Sequence, residues 1–303
     1  MDYERFVFEQ PLYGSVNVLR VGETLVDTGH LAPACRADVA DAVADGPLAG
    51  VERVLLTHPH SDHVGGSLTI PALTELPHVT VEGVPERLRS YDEYLRETHD
   101  QLERRGAGID ADEDRMQSAY FPLAEYAGDE IEFERVLTDG DVAAVGPYDL
   151  EVVATPGHAA DHMALWHEPS GTLLSADLVS ANGHFMYGPV DADVGDYLDS
   201  LERVRALDPD VLVPGHGPPM DDAVGRIDDA IEKADRALTG LREAVAEAGG
   251  PVSTAALARE VFGATDATVR FLNLVACEYL EYLDAQGVVD LEYRPDGAVA
   301  MPA

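Results

Sequence analysis

Residues 55–66 read LLTHPHSDHVGG, and how this stretch folds decides the architecture. An apolar strand-like run, VERVLLT (51–57), leads into His58, His60, Asp62 and His63, and the pair Gly65–Gly66 follows. In an extended segment residues i and i+2 point to the same side. His58 and His60 can therefore reach one metal ion, while Asp62 and His63, just past the turn, aim at a second. Nitrogen-rich ligation with a carboxylate suits zinc first, with iron or manganese as alternatives. A solvated polar loop is the plainer reading, but three histidines within six positions weigh against it. The glycine pair is expected to let the following helix start close to the metals.

The other blocks of this kind also follow apolar runs. TPGHAADH (155–162) places His158 in a Pro-Gly turn, SAD (175–177) ends in Asp177, and PGHG (214–217) carries His216. Donors at strand ends gather at one edge of a sheet. Strands are expected within 15–29 around a Gly22–Glu23 turn, and at 51–57, 79–83, 132–137, 148–155, 163–167, 172–177 and 210–217, with helices at 36–44 and 196–207. Leu88, Tyr91, Leu95, Thr98 and Leu102 follow helical spacing, so about 85–128 reads as a helical insertion. From Val224 to Ala248 an apolar stripe marks one long helix that Gly249–Gly250 ends. Helices at 253–262 and 265–285, then a hairpin turning at Pro295–Asp296–Gly297, give the outline of a winged helix-turn-helix. The chain thus divides into a catalytic unit, 1–218, and a C-terminal winged-helix-like unit, 219–303, in the α+β class.

In order and approximate spacing, THPHSDH (57–63), TPGH, the aspartate of SAD and PGHG, preceded by VDTG (26–29), resemble the motif set of the metallo-β-lactamase superfamily over roughly residues 10–220. The resemblance implies a four-layer αββα sandwich with two divalent metals at one edge. His58, His60 and His158 would hold the first ion, Asp62, His63 and His216 the second, and Asp177 would bridge them. Such a pair shares a water and presents it as hydroxide to an electrophilic carbonyl or phosphorus. Asp62 would also orient that hydroxide, with Asp27 and Thr57 supporting ligands. GHAADH departs from the family's GHxxGH, and His162 within it is expected to support rather than ligate. His184, in NGHFMYG, falls on the family's substrate-facing loop and is assigned a substrate or proton-transfer role. His30 is expected to line the same pocket, and Tyr120, Phe121 and Tyr126 to roof it. His78, His99 and His167 are assigned to helices or strands.

Composition bounds the setting. With 303 residues, 46 % of them apolar, the chain can build a large core. The 57 acidic residues against 20 basic ones give a formal charge of −37, and Lys233 is the single lysine. At molar salt the Debye length falls to ~3 Å, which screens such self-repulsion. The composition resembles that of proteins from salt-in halophiles, haloarchaea included. The start of the chain lacks the pattern of a secretory signal, and no apolar run is long enough to span a bilayer, so a soluble cytoplasmic protein without membrane partners is expected. Cys35 and Cys277 stand far apart and read as buried apolar residues.

These features lead to a glyoxalase-II-like or lactonase-like hydrolase of a small ester or thioester. A nuclease or phosphodiesterase similar to the LACTB-type endoribonucleases is the alternative, with nucleic acid then the partner. A persulfide-dioxygenase-like mononuclear iron enzyme is the third reading. A homodimer is left open.

Overall fold

Period-two alternation in the strand segments sorts their side chains between two apolar clusters, and this sorting defines the layers. The computed structural model describes residues 1–11, 14–109, 126–181 and 193–303. One sheet runs β1 (Glu4–Gln10), β2 (Gly14–Val21), β3 (Thr24–Val26), β4 (Arg53–Leu55), β5 (His78–Val81), β6 (Phe133–Leu137), in that spatial order. A second is built from β7 (Val142–Val145), β8 (Tyr148–Ala154), β9 (Met163–His167), β10 (Thr172–Ala176) and β11 (Val211–Pro214). In β8 and β9, Leu150, Val152, Met163 and Leu165 join a cluster that includes Val16, Val18, Leu25 and Val54 of the first sheet. Their neighbours Val153, Ala164 and Trp166 join the other cluster instead.

Helices close both outer faces. Cys35 and Val39 of α1 (Pro33–Ala44) and Val64 and Leu68 of α2 (Ser61–Thr69) belong to the first cluster, and the short α3 (Pro71–Thr74) follows. The second cluster takes Val194, Tyr197 and Leu201 of the helix Val194–Arg205 and Ile227, Leu241 and Val245 of the helix Ala223–Ala248. Within the expected insertion lie α4 (Val84–Arg89) and α5 (Tyr91–Gly106); Val194–Arg205 and Ala223–Ala248 are therefore α6 and α7. Asp193 caps α6 by accepting the Asp196 N–H at 2.9 Å, and α7 stops at Gly249, whose φ of 63° suits glycine.

After α7 come α8 (Thr254–Phe262), α9 (Val269–Ala285) and the strands β12 (Val252–Ser253), β13 (Val289–Arg294) and β14 (Gly297–Pro302), paired in the order β12-β14-β13. Leu257, Val275, Tyr279 and Leu280 share the second cluster with α6 and α7, so this end of the chain is welded to the sandwich. A polar lock adds to it on α5: buried Arg105 pairs with Glu278 and, at 2.7 Å, with Glu281, and Asn273 Nδ2 donates to the Arg105 carbonyl at 2.8 Å. Burial pushes the Glu278 carboxyl up to about 8, against the opposing pull of Arg105.

Several expectations need correction. Strands β1 and β7 are additional, because ERFVFEQ and VAAV are half-exposed and lack a strong pattern. The last long helix begins at Val269 rather than 265, since Thr265 and Thr268 form a turn closed by the Thr268 hydroxyl. Gly65 and Gly66 lie inside α2, not before it. Tyr120, Phe121 and His184 lie outside the described residues. Among those described, no helix is long and apolar enough to cross a membrane.

Candidate metal centre

Four strand ends deliver the donors. β4 runs into the loop bearing His58 and His60 and then into the first turn of α2 with Asp62 and His63; β8 leads to His158, β10 to Asp177 and β11 to His216. Three sets form in which every donor atom lies within 4.8 Å of the others: His58–His60–His158, His58–His63–Asp177 and Asp62–His63–His216. His158 Nε2 is 2.8 Å from His60 Nδ1. Asp177 reaches both sides, with Oδ2 3.5 Å from His158 Nε2 and 3.1 Å from His216 Nε2, and Oδ1 3.4 Å from His63 Nε2. All seven residues inferred from the motifs therefore meet where strand ends of the two sheets converge. Gly215 makes room for this, since a Cβ there would lie 2.1 Å from Asp177 Oδ1.

Hydrogen bonds behind the donors choose which ring nitrogen faces inward. His63 Nδ1 donates to Asp27 Oδ2 at 2.8 Å, and His216 Nδ1 to the Ser15 carbonyl at 2.6 Å. The Thr57 hydroxyl donates to Asp27 at 2.9 Å and accepts from His58 Nδ1 at 3.0 Å. Each arrangement turns Nε2 toward the cluster. Asp27 sits at φ 59°, a costly conformation for a non-glycine residue that the Thr57 N–H holds by donating to Asp27 Oδ1 at 2.9 Å. Removing such support typically costs 10–100-fold in metal affinity. We expect Asp27→Asn to weaken zinc binding by about tenfold in a chelator competition titration, because an amide can present its NH₂ where His63 needs an acceptor.

His162 supports rather than joins the cluster. Its Nε2 accepts the Asp177 backbone N–H at 3.2 Å, so Nδ1 carries the proton and donates to Thr155 Oγ1 at 2.8 Å. His30 is buried nearby, its Nδ1 accepting the Ala32 N–H at 2.7 Å, but it belongs to none of the three sets. His78 is fully buried between Ser67 Oγ and the Leu76 carbonyl, His167 bonds Ser170, and His99 is exposed. The Ser15 partner escapes sequence reading because it acts across 201 residues with no motif of its own, whereas Thr155 and His162 are the two ends of TPGHAADH, a pattern that does not show their bond.

Electrostatics split the cluster. Burial, aided by neighbouring imidazoles, holds His58 well below the usual histidine range; burial also brings His60 down to about 4, so both are neutral donors at pH 7. For His216 burial pulls down as well, but Asp177 and Asp62 outweigh it and push it up to about 10; His63 is raised by Asp177, Asp27 and Asp62 in the same way. Asp62 and Asp177 are held below the carboxylate range by these imidazoles against the cost of burial. An ion on that side expels the protons. The donor set fits divalent metal: His58 Nε2 is buried, faces other donors and meets no hydrogen-bond partner, a costly state for a polar atom unless it is ligated.

A family model described as "Metallo-beta-lactamase superfamily" matches residues 15–216. The Beta-lactamase-like protein 2 homolog of Caenorhabditis elegans is 27 % identical over 208 residues, covering 69 % of this chain and 56 % of that protein, so the match spans little more than half of that relative. The Probable metallo-hydrolase YqjP of Bacillus subtilis is 27 % identical over 284 residues, 88 % of this chain and 86 % of its own length. In fold, the chain is similar to a metallo-beta-lactamase family protein from Thermus thermophilus, with a TM-score of 0.74 at 24 % identity over 99 % of this chain and 98 % of that one.

Proposed function

This chain belongs to the metallo-β-lactamase superfamily and is a hydrolase of that fold, and from this premise we propose that it cleaves a small ester, thioester or lactone with two divalent ions, zinc first. The observation that carries the reading is the meeting of His58, His60, His158 with Asp62, His63, His216 around a shared Asp177. Two such ions would lower the pKa of a shared water and polarise the scissile carbonyl. The chain's own residues do the rest. Asp62, 3.3 Å from His216 Nε2 through Oδ2, would orient the attacking water as well as ligate. His162 keeps Asp177 in place through its backbone amide, and Asp27 and Ser15 hold the rings of His63 and His216. His184 remains our proposal for the group that meets the substrate or hands a proton to the leaving group.

The C-terminal elements from 219 onward we read as a winged-helix-like unit. That outline favours the second reading, a nuclease acting on RNA. Two observations favour the small substrate instead. Helix α9, the element such a unit would offer to a nucleic acid, has Asn273 to Leu280 buried without a break, and a net charge of −37 repels a polyanion.

A substrate screen on the purified chain in multimolar KCl with zinc or manganese tests this. Turnover of thioesters, lactones or simple esters is the expected result; turnover of single-stranded RNA alone would reverse the ranking. A single iron per chain in the isolated protein would point to the dioxygenase reading and sink the dimetal mechanism.

A further inference from the structure

Helices α4 and α5 touch both loops that carry the His58–His60–His158 set, and they do so through one continuous chain of side chains. On the His158 side, Arg87 Nε of α4 pairs with Asp161 Oδ2 at 2.5 Å. Asp161 is the residue at which GHAADH departs from GHxxGH, three positions after His158. Its carboxylate fills the space that a side chain at Gly83 would take, for a Cβ there would lie 2.1 Å from Asp161 Oδ1. The Arg87 guanidinium lies 5.1 Å over the Tyr94 ring, and Tyr94 lies 5.6 Å from the Tyr91 ring. Buried Tyr91 closes the chain by donating its hydroxyl to the Pro59 carbonyl at 3.0 Å, between His58 and His60. At its far end α5 is fixed by the Arg105 lock to α9, so the chain of contacts has a rigid base.

We propose that Asp161, Arg87 and Tyr91 are positioning residues that clamp the His58–His60 loop to the His158 loop and thereby set the metal affinity of that set. The inference rests on the dimetal reading above. The Asp62–His63–His216 set is held by Asp27 and Ser15 instead. Asp177 keeps its own support, because His162 is tied to Thr155 by both its ring and its backbone carbonyl, the latter 2.9 Å from the Thr155 N–H. The clamp therefore acts on one set and spares the other. A positioning partner of this kind is worth about 10–100-fold in metal affinity, and the lower end applies because Arg87 and Asp161 remain about one-fifth to one-quarter exposed.

Zinc titration of the full-length, metal-stripped chain against a chromophoric chelator, with a thermal melt of each metal-free variant alongside, tests the clamp. In Asp161→Asn and in Arg87→Met, one of two zinc equivalents should bind about tenfold more weakly while the other is unchanged and the metal-free melting temperature holds. The double exchange Arg87→Asp with Asp161→Arg should restore the weakened equivalent. Unchanged affinity for both equivalents overturns the clamp, as does equal weakening of both together with a lower metal-free melting temperature. If the parent chain binds a single zinc, the dimetal reading fails, and the clamp is then judged on that ion: a tenfold loss in Asp161→Asn supports it and no loss overturns it.

Discussion

An Asp177→Ala chain is expected to lose hydrolysis by about three orders of magnitude in kcat/KM, equivalent to roughly 4 kcal/mol of transition-state stabilisation. Asp177 is the one carboxylate in the cluster whose oxygens approach His158, His63 and His216 together. Its loss removes the negative charge that joins the two donor sets and the main support for the raised His216. Without it only Asp62 offsets the mutual repulsion of two cations held close together, and at most one ion should remain bound. Measurement of kcat/KM on the best substrate, together with metal content by mass spectrometry, checks this. More than a tenth of parental activity with two ions retained would show that Asp177 is not the bridge.

Gly65→Ala should be strongly damaging although Gly65 lies inside a helix. In an ordinary helix this change gains about 1 kcal/mol. Here the added Cβ would lie 2.5 Å from the Gly29 carbonyl oxygen, the His30 carbonyl carbon and the Leu31 nitrogen. All three are backbone atoms, so no rotamer change relieves the clash, and α2 must move with Asp62 and His63 on its first turn. We expect a net loss of about 3 kcal/mol, at the upper end for overpacking, or roughly 6–12 °C in melting temperature. A thermal melt that matches or exceeds the parent's would overturn the close-contact argument.

The donor residues are legible because each sits in a short local pattern: an apolar run fixes the strand, and the polar residues just beyond it have nowhere to go but the sheet edge. His162 is legible as a helper from its place in GHAADH, although its hold on the Asp177 amide is not. What pattern alone hides is pairing across long separations. The Ser15 carbonyl meets His216 over 201 residues, and Arg105 meets Glu278 and Glu281 across the gap between α5 and α9. Strand β1 escapes because an edge strand with charges on both faces carries no period-two signal. The glycine pair reads as a helix entry in the sequence, whereas its cause is the backbone crossing of α2 over residues 28–31, which only the fold reveals.

That crossing has a consequence for how the protein breathes. Outside any strand pairing, the Thr28 N–H donates to the His63 carbonyl at 2.7 Å, Gly65 N–H to Gly29 at 2.8 Å, Gly66 N–H to Thr28 at 3.2 Å and Leu31 N–H to Ser61 at 3.1 Å. Four peptide groups stitch the loop to the helix, and the Thr28 hydroxyl joins them by donating to the His63 carbonyl at 2.9 Å. These amides have no local way to reach solvent, so their deuterium uptake should follow only the slowest, global opening of the molecule. The half of the site carrying Asp62 and His63 is then among the last parts to come apart, and a chain that has lost its metals would still keep their seat.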